Sequence, residues 1–169
     1  MIVGSGKLRD VVPVESWPAI EDKLVKFPND YKHFLSTYGS GCIDGFFYVF
    51  NPVVSEGVLA LCPEIKGACW ALRERAKYDD EFRYPIFPDK PGLLPFAGTD
   101  NGDTIMWFTE GEPNSWPVCA LEARGPLMEW FNGGLYGLIG AIHRKGFQSG
   151  LLPTAEELEA AQPYFRPLE

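Results

Sequence analysis

Phe27-Pro28-Asn29-Asp30-Tyr31-Lys32-His33-Phe34-Leu35-Ser36-Thr37-Tyr38-Gly39-Ser40-Gly41 decides how this chain is read. Tyr31, Phe34, Leu35 and Tyr38 recur at i, i+3, i+4 and i+7, which is one face of a helix. Pro28 can open that helix, because the N–H it lacks would have no partner in the first turn. Gly39 supplies the left-handed stop. Nothing in the stretch resembles a nucleophile, a metal-ligand set or a phosphate cradle. With Leu94-Pro95-Phe96-Ala97 and Asn101-Gly102-Asp103-Thr104-Ile105-Met106-Trp107 it points to a binding module rather than an enzyme.

Working outward, Ser16 can cap a preceding helix that tolerates Pro18 in its first turn and aligns Ile20, Leu24 and Phe27 on one face. Phe46 to Phe50 reads as a strand ended by Asn51-Pro52. Ile65, Cys69, Leu72 and Ala76 trace a second helical stripe that places Cys69 in the core. The polar run Asp79-Asp80-Glu81 leaves that helix for a loop through Pro85, Pro88 and Pro91. Leu93–Ala97 and Thr104–Thr109 flank Asn101-Gly102, a hairpin signal, and a strand from about Trp116 to Glu122 follows. Leu127, Phe131, Leu135, Leu138 and Ile142 suggest a long helix, with Gly134, Gly137 and Gly140 on roughly one face for close approach to a neighbour. Thr154-x-x-Glu157 suggests a capping box for a final helix stopped by Pro163.

This order predicts an α+β fold, a single mostly antiparallel sheet packed with helices. One domain is expected over residues 1–169, with a core of about 16–146 and a C-terminal helical extension over 153–169. A chain of 169 residues, 46% hydrophobic and 14% aromatic, is long enough to bury a real core.

The balance of 15 basic and 23 acidic residues, 15 − 23 = −8, disfavours direct nucleic-acid binding and favours a basic partner, though acidity also serves solubility. No run approaches the roughly 18 apolar residues of a membrane helix, and no secretory leader is evident. A soluble, cytoplasmic protein is the expectation. Cys42, Cys62, Cys69 and Cys119 form no C-x-x-C pair and sit among apolar neighbours, so all are read as reduced and structural.

Several motifs dissolve on inspection. Gly4-Ser5-Gly6-Lys7 lacks the strand, the earlier glycine and the Ser/Thr of a phosphate loop, and reads as a flexible N-terminal segment. Asp100-Asn101-Gly102-Asp103 lacks calcium-loop alternation and is read as a turn. His33 and His143 have no ligand spacing and are expected to be partly exposed. A Cys42–His33 nucleophile pair lacks anything that would lower the thiol pKa. No catalytic, cofactor or metal residue is therefore assigned. The acidic runs Asp79, Asp80 and Glu81, and Glu110 with Glu112, remain as candidate partner-binding residues.

Taken in order, Phe27-Pro28-Asn29-Asp30-Tyr31 with Phe34 and Leu35, Tyr38-Gly39-Ser40-Gly41, Asn51-Pro52, Phe96 to Asp103, and Trp116-Pro117-Val118 resemble the SUKH superfamily. That group includes yeast cell-wall-assembly regulators and bacterial immunity proteins. The match spans about Phe27 to Gly146; Phe27 replaces the usual leucine, and the segment after Leu152 has no counterpart. The resemblance implies an α+β sheet ringed by helices, without catalytic residues or a cofactor. It also implies an immunity protein that neutralises a cognate polymorphic toxin, commonly a nuclease. The alternative it allows is a regulatory interaction module without a toxin partner. Its binding residues vary with the partner, so none transfers by position.

Overall fold

A computed structural model of the chain describes every residue except Met1, Ser5, Val58 and Glu169. The strands are β1 (Val3–Gly4), β2 (Gly41–Ile43), β3 (Phe47–Val49), β4 (Leu93–Thr99), β5 (Thr104–Phe108), β6 (Val118–Leu121), β7 (Met128–Phe131) and β8 (Tyr164–Pro167). The helices are α1 (Trp17–Glu21), α2 (Asn29–Thr37), α3 (Leu61–Ala76) and α4 (Gly134–Ile142). The strands form one sheet in the order β1-β8-β2-β3-β4-β5-β6-β7, parallel only between β1 and β8. The expected α+β architecture with a mostly antiparallel sheet is what forms.

Because side chains alternate across a strand, each strand of the central sheet serves two cores. Val49, Phe96, Ile105, Trp107 and Val118 join α2 and α4 in the larger one. Leu93, Met106, Cys119 and Leu121 meet Cys69 and Leu72 of α3 in the smaller one. At the centre of the larger core Phe96 stacks on Trp107 at 3.9 Å, and Tyr31 meets Trp107 edge-on at 5.0 Å. Offset stacking and edge-to-face contact both suit the ring quadrupole. Tyr31, fully buried, donates its hydroxyl to the Phe50 carbonyl at 2.6 Å. α2 starts after Pro28 and ends at Gly39, whose φ of +70° gives the left-handed stop. A Cβ at Gly39 would collide with the Arg9 carbonyl, so this turn also requires glycine for space.

The N-terminal helix is shorter than its apolar spacing suggests. α1 stops at Glu21, Ser16 makes no side-chain cap, and Leu24 is exposed. Its anchor is Trp17, whose Nε1 donates to Ser36 Oγ at 2.9 Å. Phe27 is buried beyond the helix, where its N–H donates to Glu21 Oε1 at 2.9 Å. Val3–Gly4 pairs with β8, so the N-terminal segment enters the sheet rather than staying loose; Ser5 of the Gly4–Lys7 stretch lies outside the described residues.

The helix expected from Leu127 to Ile142 is instead β7, a turn and α4. Gly133 and Gly134 take φ of +86° and +64°, which breaks any continuous helix. The first half pairs with β6, Trp130 opposite Cys119. Leu127 and Phe131 matched the helical period by coincidence, since spacing alone does not separate short apolar runs. α4 is capped from a distance: Asp30 Oδ2 accepts the Leu135 N–H at 2.6 Å. Of the three glycines, Gly134 abuts the Asp30 carboxylate, Gly137 backs onto the Asn132 carbonyl of its own turn, and Gly140 faces open space.

The helical extension over 153–169 is also corrected. Thr154 and Glu157 do form reciprocal capping bonds, 2.7 Å from Thr154 N–H to Glu157 Oε2 and 3.2 Å from Glu157 N–H to Thr154 Oγ1. They close a turn, not a helix, because no apolar stripe follows to hold one against the core. The chain then enters β8, inserted between β1 and β2, with Phe165 fully buried.

Phe34→Ala or Leu35→Ala should cost about 2–5 kcal/mol through the cavity left behind. Tyr31→Phe should cost about 1–3 kcal/mol, because the buried Phe50 carbonyl loses its donor. Urea unfolding of the three variants measures both; a Tyr31→Phe midpoint equal to the parent's would deny that bond its structural weight.

Candidate functional site

The polar residues of the motif stretches are consumed inside the fold. Asp30 accepts from the N–H groups of Tyr31, at 2.7 Å, and Leu135. Asn51 is fully buried; its Nδ2 donates to the Asp10 carbonyl at 2.9 Å and to Ser40 Oγ at 3.0 Å, while its Oδ1 accepts from Val53 N–H. Asp103 accepts from Thr99 Oγ1 and from Ala123 N–H, each at 3.0 Å, and so fixes the hairpin on both sides. In that hairpin only Gly102 takes a positive φ, at +86°. These polar side chains are engaged in holding the fold together.

Nucleophilic chemistry finds no support in the geometry. Cys42 is buried with its Sγ near the Ile43 carbonyl, and burial pushes its pKa up to about 11, away from thiolate character. Burial likewise raises Cys69 and Cys119. All the cysteines are unbridged, but Cys62 is only half-buried, so it is less sheltered than its apolar neighbours suggested. His33 is exposed and its Nδ1 lies 2.7 Å from Tyr136 Oη, not against Cys42. His143 is partly exposed as a residue, but its side chain is 9% exposed and Nε2 sits 2.9 Å from Asp44 Oδ2. Asp44, with a φ of +57°, also accepts from Tyr164 N–H at 2.7 Å, so this pair ties α4 and β8 to the β2–β3 turn. No group of three or more His, Cys, Asp or Glu among the described residues is placed to hold a metal ion.

The two acidic runs behave differently from one residue to the next. Asp79 faces inward to the chain: its Oδ2 takes Arg75 Nε at 3.1 Å and its Oδ1 accepts from Glu81 and Phe82 N–H. Burial opposes ionisation there, yet those donors outweigh it and hold the carboxyl below the usual range. It is a cap for the exit of α3. Asp80, Glu81, Glu110 and Glu112 are exposed, and none forms an ion pair among the described residues.

A ladder of aromatic rings begins beside the first run, a feature that sequence spacing did not reveal. Phe82, next to Glu81, meets Tyr84 at 6.0 Å; Tyr84 meets Trp130 of β7 at 5.4 Å and Phe108 at 6.2 Å. Phe108 ends β5 two residues before Glu110. The ladder follows from register, since Phe108 and Trp130 point to the α3 face of the edge region while Trp107 and Phe131 point to the other. Tyr84 and Trp130 remain 39% and 40% exposed, which leaves two large rings in water at the sheet edge. Glu112 sits on the loop anchored by Trp116 Nε1 to the Gly111 carbonyl and by Asn114, which accepts the first N–H of α2 at 2.8 Å.

A family model described as the SMI1/KNR4 family (SUKH-1) matches residues 14–132, more than half of the chain. No curated protein and no solved structure matches it. The matched span contains both acidic runs and the aromatic ladder, and ends before α4 and β8.

In the native protein Cys62 should react first with a thiol reagent at pH 8, while Cys42, Cys69 and Cys119 should wait for unfolding. Timed labelling with peptide mapping checks this, and early modification of any of the three buried thiols would contradict it.

Proposed function

The chain belongs to the SMI1/KNR4 (SUKH-1) family, and from that premise we propose that it is an immunity protein that binds and neutralises a basic toxin domain without catalysis of its own. The observation that carries this reading is the exposed Tyr84–Trp130 pair at the sheet edge, which Phe82 links to the exposed run of Asp80 and Glu81, with Glu110 and Glu112 exposed on the loop after Phe108. Tyr and Trp are the residue types that most often anchor protein interfaces, because they bury much area at little conformational cost. Carboxylates around such an anchor add little affinity each but steer a cationic partner into contact. The net charge of −8 acts in the same direction over longer range. A nuclease domain, which must attract phosphate backbones, carries the complementary charge.

Asp79 is left out of this surface because its oxygens are engaged in the α3 exit. The remaining four carboxylates and the two rings form the proposed contact.

Trp130→Ala or Tyr84→Ala should weaken binding at least tenfold, mainly through faster dissociation, since interface anchors are commonly worth about 2 kcal/mol or more. Reversing Asp80 with Glu81, or Glu110 with Glu112, should slow association and flatten its salt dependence while the melting temperature holds, as surface changes usually stay within about 0.5 kcal/mol. Stopped-flow and calorimetric titration against the product of the gene just upstream provide the readout. Unchanged affinity in folded variants of both kinds would move the interface elsewhere, and failure of the wild type to co-purify with that product would favour a regulatory module.

A further inference from the structure

At the hairpin end of the α3 face, far along the helix from the acidic exit, the surface opens into a cavity of about 420 Å³. Its floor comes from one row of the sheet, Tyr48 beside Gly98, with Phe50 next to them. Gly98 makes the depth: a Cβ there would come 3.5 Å from the Phe50 ring, so the missing side chain is space the cavity keeps. The wall is Glu64 and Ala68, one turn apart on α3, and Asp100 stands on the β4–β5 turn.

Every charged residue that lines the cavity is acidic. Asp103 is engaged with Thr99 and Ala123, but the other two are not satisfied in the same way. Asp100 has only a 3.4 Å contact from Tyr48 Oη. The Glu64 carboxylate has no hydrogen bond or ion pair among the described residues, though the residue is half-buried and burial raises the carboxyl pKa. A partly desolvated carboxylate without a counter-charge is a local cost, and a cation would remove it. The Tyr48 ring adds a face on which a planar cation can lie.

We propose that this cavity is a socket for a single arginine side chain presented by a protein partner. The guanidinium fits the two carboxylates by charge and the tyrosine by stacking, while its methylene stem covers the apolar floor formed by Phe50 and Gly98. Arginine suits such a site better than lysine, whose compact and strongly hydrated ammonium gains less from a ring face. The socket lies apart from the Tyr84–Trp130 edge and does not rest on the toxin reading.

The test uses N-acetyl-arginine amide as the probe and its neutral isostere, N-acetyl-citrulline amide, as the control, followed by amide chemical shifts of the full chain. Arginine amide, at concentrations on the order of 10 mM, should shift Ala68, Gly98 and Gly102, and citrulline amide should not. Glu64→Gln with Asp100→Asn should weaken the response about fivefold or more. Ala68→Lys should abolish it without lowering the melting temperature, because the introduced ammonium would pair with Glu64 at i, i+4 and occupy the socket from within. Trp130→Ala should leave the shifts untouched, so this site and the toxin-binding edge can fail separately. Equal response to citrulline, no response to arginine, or an undiminished response in Glu64→Gln with Asp100→Asn would each overturn the proposal.

Discussion

One hydroxyl holds the two halves of the larger core in register. Tyr31 Oη donates to the Phe50 carbonyl inside a ring cluster of Phe96, Trp107, Phe27 and Trp17, where water cannot replace the bond. A polar group left unpaired at such a depth costs more than the bond itself adds, so α2 and the end of β3 have little freedom to slide. The next residue extends the lock. Asn51 ties Asp10, Ser40 and Val53 through its side chain, and its backbone joins Leu59 and Leu61 at the start of α3. The origin of α3 is therefore set from the aromatic core, and α3 in turn carries Glu64 and Ala68 at one end and the acidic exit at the other.

Charge is divided between structure and surface with some consistency. Glu21, Asp30, Asp44, Asp79 and Asp103 each accept a backbone N–H from elsewhere in the chain, and in that role an ionised carboxylate makes strong bonds. Asp79 shows the linkage. Its carboxyl titrates below the usual range in the folded chain, so its stabilisation is fully present above the unfolded pKa and fades as pH falls through the folded one. Asp80, Glu81, Glu110 and Glu112 carry no such duty. Their mutual repulsion, as part of a net charge of −8, works mildly against compactness, and a cationic surface would relieve it.

Much of the fold was legible because its strongest signals are local. The stripe of Tyr31, Phe34 and Leu35, the Cys69 and Leu72 face, the Asn101-Gly102 hairpin and the strand through Val118 all depend on period and turn chemistry, and all form. What failed depends on distance. Met128 to Phe131 becomes a strand because β6 is there to pair with it, and Tyr164 to Pro167 becomes one because β1 and β2 leave a gap. The short β2 was invisible for a related reason: three residues beside the positive-φ turn Asp44-Gly45 have no periodicity to detect. At the candidate surface the acidic residues could be named from the sequence. The Tyr84–Trp130 contact joins residues from a proline-rich loop and an edge strand, and Asp79's inward role needed its three donors in view. The His143–Asp44 pair was missed for the same reason, since nothing near His143 in sequence reveals a carboxylate from the β2–β3 turn.

The motif residues that identify the family are poor candidates for recognising a partner, and the reason is geometric. Tyr31, Phe34, Asn51, Phe96 and Asp103 are buried, and their polar atoms are already bonded within the chain. Changing one of them changes the fold before it changes an interface. Asp80, Glu81, Glu110 and Glu112 obey the opposite constraint: they are exposed, form no ion pair among the described residues and can be exchanged at small cost in stability, while Tyr84 and Trp130 stay 39% and 40% exposed. On the proposed reading, a scaffold arranged this way keeps its core while its contact surface follows a changing partner. On that reading fold and specificity are separable by mutation, since among the described residues the hydroxyl that locks α2 to β3 and the rings at the sheet edge share no direct contact and meet only through β5.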